Sequence, residues 1–81
     1  MSIDEALEAL EGAGANIRFR DLLNIATRFF GEPRIRGSHH VFKMPWALNP
    51  RINLQKDGNQ AKPYQIEQVI QALKKLREQG T

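Results

Sequence analysis

The chain has 81 residues, no cysteine and a formal net charge of +3. That length holds one domain with a single modest core, and the missing cysteines exclude a disulfide framework or a thiolate metal site. No run approaches the ~18 apolar residues of a membrane-spanning helix, no signal-peptide pattern is present, and cytoplasmic residence is the expectation. The charge is unevenly spread. Residues 1–17 carry four acids and no base, whereas residues 18–81 carry twelve bases against five acids. A basic body behind an acidic leader points to a polyanionic partner, most often nucleic acid.

Ser2-Ile3-Asp4-Glu5 has the spacing of a capping box, in which a serine hydroxyl and a glutamate three residues on satisfy each other's free backbone N–H groups. Ile3, Ala6, Leu7 and Leu10 then recur at helical spacing, and Gly12 and Gly14 end the segment. A helix of about three turns is marginal alone, so it is expected to pack on the rest of the chain, the alternative being an arm that docks on a partner or folds back over a basic surface. Residues 1–15 are read as this helix and a linker, and residues 16–81 as a single domain. From Phe19 to Phe30 a broad apolar stripe (Phe19, Leu22, Leu23, Ile25, Ala26, Phe29, Phe30) predicts a core helix, closed by Gly31 and Pro33. Arg34-Ile35-Arg36 is a predicted strand, Gly37-Ser38 a tight turn, and His39 to Met44 a second strand. A proline-bracketed loop from Pro45 to Pro50 carries Trp46. Arg51 to Gln55 is the third strand, residues 56–61 a polar loop, and Pro63 opens a last helix running to Gln79. The expected fold is α+β: a three-stranded antiparallel sheet with helices on one face, the other face left free, and an extra N-terminal helix.

Side chains alternate between the two faces of a strand. Ile35 is expected inward, with Arg34 and Arg36 outward. Ile52 and Leu54 are expected inward, with Arg51, Asn53 and Gln55 outward. In the middle strand Phe42 and Met44 are the better core residues, which sends His39, Val41 and Lys43 outward and His40 inward. The open face would then gather Arg34, Arg36, Lys43 and Arg51 around His39. Arginine and lysine bind phosphates, and histidine is the side chain that exchanges a proton near neutral pH. A bulge at Gly37-Ser38 would exchange the two histidines. A zinc site is not expected, because adjacent strand residues point opposite ways and no further histidine or cysteine ligands exist. The plainer reading of the pair is a hydrogen-bonded, semi-buried His40 beside an ordinary surface His39.

The run Gly37-Ser38-His39-His40-Val41-Phe42-Lys43-Met44-Pro45 resembles the HicA family of toxins, the toxin partners of HicA/HicB toxin–antitoxin pairs. The resemblance extends through Asn53-Leu54-Gln55 and Ala61-Lys62-Pro63-Tyr64-Gln65-Ile66-Glu67-Gln68-Val69, and covers about residues 16 to 76. It implies a fold like that of double-stranded-RNA-binding domains, an mRNA-cleaving ribonuclease, a HicB-like antitoxin as partner, and one essential histidine in the glycine-serine-histidine turn. Carried over, that histidine is His39, or His40 if the motif is read one residue later. The chain departs from the family in two respects: its acidic N-terminal helix is an addition to the minimal toxin, and many members carry a proline-x-histidine element after the third strand, where this chain has Leu54-Gln55-Lys56-Asp57. Lys56 would have to stand in for it.

The leading expectation is an endoribonuclease toxin that needs no metal or cofactor. His39, or alternatively His40, would be the acid/base, with Arg34, Arg36, Ser38, Lys43, Arg51, Lys56 and Lys62 on RNA. The alternative is a non-catalytic RNA-binding module of the same fold. In the double-stranded-RNA-binding mode, Lys62, Lys74 and Lys75 would matter more than the sheet. A third reading makes the chain mainly a protein-interaction partner, with Trp46 either an anchor or a cap over the core edge.

Overall fold

The computed structural model describes residues 1–14, 16–48 and 50–80. The expected linker and proline-bracketed loop each include one residue, Ala15 and Asn49, that lies outside the described set. The elements run α1 (Ile3–Ala13), α2 (Phe19–Phe30), β1 (Arg34–Arg36), β2 (His39–Lys43), β3 (Arg51–Gln55) and α3 (Pro63–Gln79). The sheet is antiparallel throughout in the order β1-β2-β3, giving an α+β fold.

The capping box forms as the spacing requires. The Glu5 N–H donates to the Ser2 hydroxyl at 3.1 Å, and the Ser2 N–H donates to the Glu5 carboxylate at 2.9 Å. Ala6, Leu7 and Leu10 are buried where α1 packs on α3, and they belong to the same core as the sheet. Two ion pairs join these helices, Asp4 with Arg77 at 3.0 Å and Glu11 with Lys74 at 3.8 Å. Half of the acidic leader is thus spent on bases of the last helix.

The start of α2 has no side-chain cap. Its first N–H, that of Phe19, is satisfied from the loop before α3, and those of Asp21 and Leu22 by the Arg18 carbonyl. Phe19 N–H donates to the Asn59 carbonyl at 2.8 Å, and Ala61 N–H donates to the Ile17 carbonyl at 2.8 Å. These two bonds tie the entry to α2 to the loop between β3 and α3.

Gly37 and Ser38 form the two-residue connection between β1 and β2. Gly37 has φ 57° while Ser38 stays out of the left-handed region, the pattern of a type II′ hairpin turn. Pairing continues without a bulge, Arg36 opposite His39, Ile35 opposite His40 and Arg34 opposite Val41. Parity therefore holds along β2. Phe42, Ile52 and Leu54 are buried on the face covered by α2 and α3, with Leu22, Val69 and Leu73 against them.

One expectation fails. Ile35 lies on the helix side of the sheet by register, yet it is 61% exposed. β1 is an edge strand of three residues, and the helices pack over β2 and β3 rather than over it. Trp46 is half-buried: its ring meets Phe30 edge-on at 6.3 Å, and Lys75 Nζ lies 4.9 Å above it. It caps the core edge.

Candidate functional site

The outer face of the sheet is assembled by register alone. Arg36, His39 and Gln55 lie across from one another, as do Arg34, Val41 and Asn53, and Lys43 pairs with Arg51. Arg34, Arg36, Lys43 and Arg51 are exposed, and none of the four makes an ion pair among the described residues. Four unpaired cations on one face of a small sheet create a positive potential that attracts a polyanion.

His39 is half-buried within this face and is held from β3. Its Nδ1 lies 3.0 Å from Asn53 Nδ2 and 3.3 Å from Asn53 Oδ1. The pair is a diagonal cross-strand contact, a separation that side chains of this length bridge. A carboxamide is a suitable partner for a histidine that must change protonation state. Its NH₂ donates to a bare Nδ1, and its oxygen accepts from a protonated one. Either way Nδ1 is engaged, leaving Nε2 as the nitrogen available to another molecule. Sequence reasoning placed Asn53 on this face but assigned it no role; the diagonal spacing from His39 was the signal.

His40 faces the other way, as parity requires. Its ring packs against Phe19 at 5.4 Å and a tilt of 58°. Its Nδ1 is buried and has no hydrogen-bond partner among the described residues, a position that costs about 1–3 kcal/mol. The ring borders a cleft of about 610 Å³ lined by Arg18, Phe19, Arg20, Leu23, Lys56, Asn59 and Gln60.

The remaining expected residues divide between these places. Ser38 is a turn residue whose carbonyl accepts the Lys56 N–H at 3.0 Å. Lys56 does not join His39. One residue beyond the outward-facing Gln55, it turns to the His40 side and lines the cleft. Lys62 joins neither group; its ammonium pairs with Asp57 at 3.2 Å. Lys74 and Lys75 are likewise engaged, with Glu11 and the Trp46 ring. Arg18, Arg20, Asn59 and Gln60 were not singled out from the sequence. The basic-aromatic-basic run Arg18-Phe19-Arg20 was a local sign of the two arginines alone, and nothing in the sequence tied Asn59 and Gln60 to them. Among the described residues, no three His, Cys, Asp or Glu side chains group as a metal site, and no helix is long and apolar enough to cross a membrane. No protein-family model, curated protein or solved structure matches the chain.

Proposed function

We propose that the chain is an endoribonuclease toxin of the HicA type, with a fold like that of double-stranded-RNA-binding domains. It cleaves mRNA in the cytoplasm and is held in check by a HicB-like antitoxin that covers the histidine face. The observation that carries this reading is His39, whose Nδ1 lies 3.3 Å from the Asn53 carboxamide oxygen, amid Arg34, Arg36, Lys43 and Arg51. Phosphate contacts hold the strand, and the imidazole moves the proton. With Nδ1–H donated to the Asn53 oxygen, the bare Nε2 takes the proton of a ribose 2′-hydroxyl. The 2′-oxygen forms a bond to the adjacent phosphorus, and the bond from phosphorus to the 5′-oxygen breaks. The departing oxygen takes a proton from the imidazolium or from water, leaving a cyclic phosphate and a 5′-hydroxyl end. Proton transfer of this kind contributes about 10²–10⁴-fold to rate. With no second histidine on this face, turnover is slow.

The engagement of Lys62, Lys74 and Lys75 favours the sheet over the duplex-binding mode as the RNA surface. Exposed ion pairs are worth about 0–1 kcal/mol, so they bias this choice without locking it. The test is incubation of the purified protein with a transcript in the presence of chelator. Internal cleavage with cyclic-phosphate ends is expected. Bound RNA recovered intact after long incubation would instead establish the second reading, a non-catalytic RNA-binding module. That reading is favoured by the absence of any acid among the side chains bonded to His39.

A further inference from the structure

The two histidines are consecutive, yet they serve opposite faces at the hairpin end of the sheet. The His40 side has its own basic site. Three cations, Arg18, Arg20 and Lys56, line the cleft together with the His40 ring and the Asn59 and Gln60 carboxamides. No carboxylate lines it, and none of the three cations makes an ion pair among the described residues. The acid nearest to Lys56 in sequence, Asp57, is taken by Lys62. The apolar lining of the cleft is Phe19, which is buried against the His40 ring, and the half-buried Leu23. The walls are fixed: the Phe19–Asn59 and Ala61–Ile17 backbone bonds tie the α2 entry to the loop after β3, and Arg18 and Gln60 form an isolated bridge. A volume of about 610 Å³ is within the range that encloses a small organic ligand. Of the two ring nitrogens of His40, Nδ1 is buried without a partner, so Nε2 is the one through which the ring can serve the cleft.

Three cations and two carboxamides in one cleft match a phosphate ester, which is anionic and accepts hydrogen bonds. We propose that this cleft is a phosphate-ester subsite for the same RNA strand that His39 cleaves. The strand crosses the Gly37–Ser38 end of the hairpin, leaving one phosphate on the outer face and another in the cleft. Lys56 is bonded through its N–H to the Ser38 carbonyl at 3.0 Å and marks the crossing point. The inference rests on the ribonuclease reading for the identity of the strand, but the cleft's affinity for a phosphate ester does not depend on cleavage.

The experiment is an amide NMR titration of the full chain with a short oligouridylate carrying 2′-O-methyl riboses, which cannot be cut by 2′-oxygen attack. Uridine monophosphate serves in parallel as the free source of the same chemistry. The oligonucleotide is expected to shift Asn53 on the outer face together with Phe19, Lys56 and Gln60 at the cleft. His40→Gln and Lys56→Gln should each weaken its binding roughly tenfold or more, since each removes a hydrogen bond to a charged group. Lys56→Gln should also lower the salt slope of binding by about 0.7, the share of one single-strand phosphate. Shifts confined to the outer face, with both variants binding as wild type, would overturn the cleft proposal and leave the ribonuclease reading standing. Cleft shifts with uridine monophosphate that both variants abolish, with no response to the oligonucleotide, would keep the phosphate-ester site and overturn its RNA assignment.

Discussion

Replacing Asn53 with alanine removes the only side chain bonded to His39 among the described residues. Asn53 is exposed, and its backbone pairing opposite Val41 survives the change, so stability should move by no more than about 0.5 kcal/mol. The loss falls on the imidazole. A neutral hydrogen bond of 3.3 Å at an exposed site contributes about 0.5–1.5 kcal/mol, and about 1.4 kcal/mol is tenfold in rate. Single-turnover cleavage by Asn53→Ala should therefore fall by a factor of about 2–10, with RNA affinity nearly unchanged. Ring-nitrogen NMR of His39 supplies the second readout, because a freed imidazole should redistribute between its two tautomers. Unchanged tautomer populations together with an unchanged rate would refute the claim that Asn53 positions His39.

Four further outcomes are expected. Arg36→Gln should weaken RNA binding similarly across sequences and lower the salt slope by about 0.7, measured by titration at several salt concentrations. Gly37→Ala places a Cβ in open space but at φ 57°, so a loss of about 1–2 kcal/mol in urea unfolding would come from backbone strain alone. Phe42→Ala empties a fully buried site between α2 and the sheet and should cost about 3–5 kcal/mol, whereas the half-buried Val41 on the outer face should cost much less. Ser2→Ala should cost about 0.5–2 kcal/mol. It should also weaken a pH dependence without abolishing it, because the backbone N–H of residue 2 still donates to the Glu5 carboxylate. Hydrogen bonds from the Ser2 backbone N–H and hydroxyl, with the nearby amino terminus, hold the Glu5 carboxyl below its ordinary value of 4.5. That stabilisation is present above pH 4.5 and is lost as pH falls through the lower folded-state value, so the gap between wild type and variant should narrow in acid but not close, since the bond from the Glu5 N–H to the Ser2 hydroxyl does not titrate.

The elements were legible because their signals are local. The capping box marks the start of α1, the apolar stripe spans Phe19–Phe30, and Pro63 opens α3. Parity sorted His39 from His40 correctly because a two-residue turn preserves register, and the glycine able to take positive φ stands first in it. Ile35 shows where parity stops. It states which face a side chain takes, but whether a helix covers that face is a matter of tertiary packing over a three-residue edge strand. The cleft was illegible for a related reason. Arg18 and Arg20, His40, and Lys56 with Asn59 and Gln60 come from three separate segments that only the backbone bonds at Phe19 and Ala61 bring together. The Lys62–Asp57 pair was equally hidden, since the four loop residues between them carry no periodic pattern to show that they meet.

The central claim is that the outward histidine moves the proton and the inward one does not. Single-turnover cleavage of a labelled transcript by wild type, His39→Ala and His40→Ala measures this directly, with RNA saturating and chelator present. The account predicts that His39→Ala loses about 10²–10⁴-fold in the cleavage rate constant. His40→Ala should need more RNA to saturate yet reach nearly the wild-type rate. A His40→Ala protein that binds normally and does not cleave, beside a His39→Ala protein that cleaves at the full rate, would contradict it.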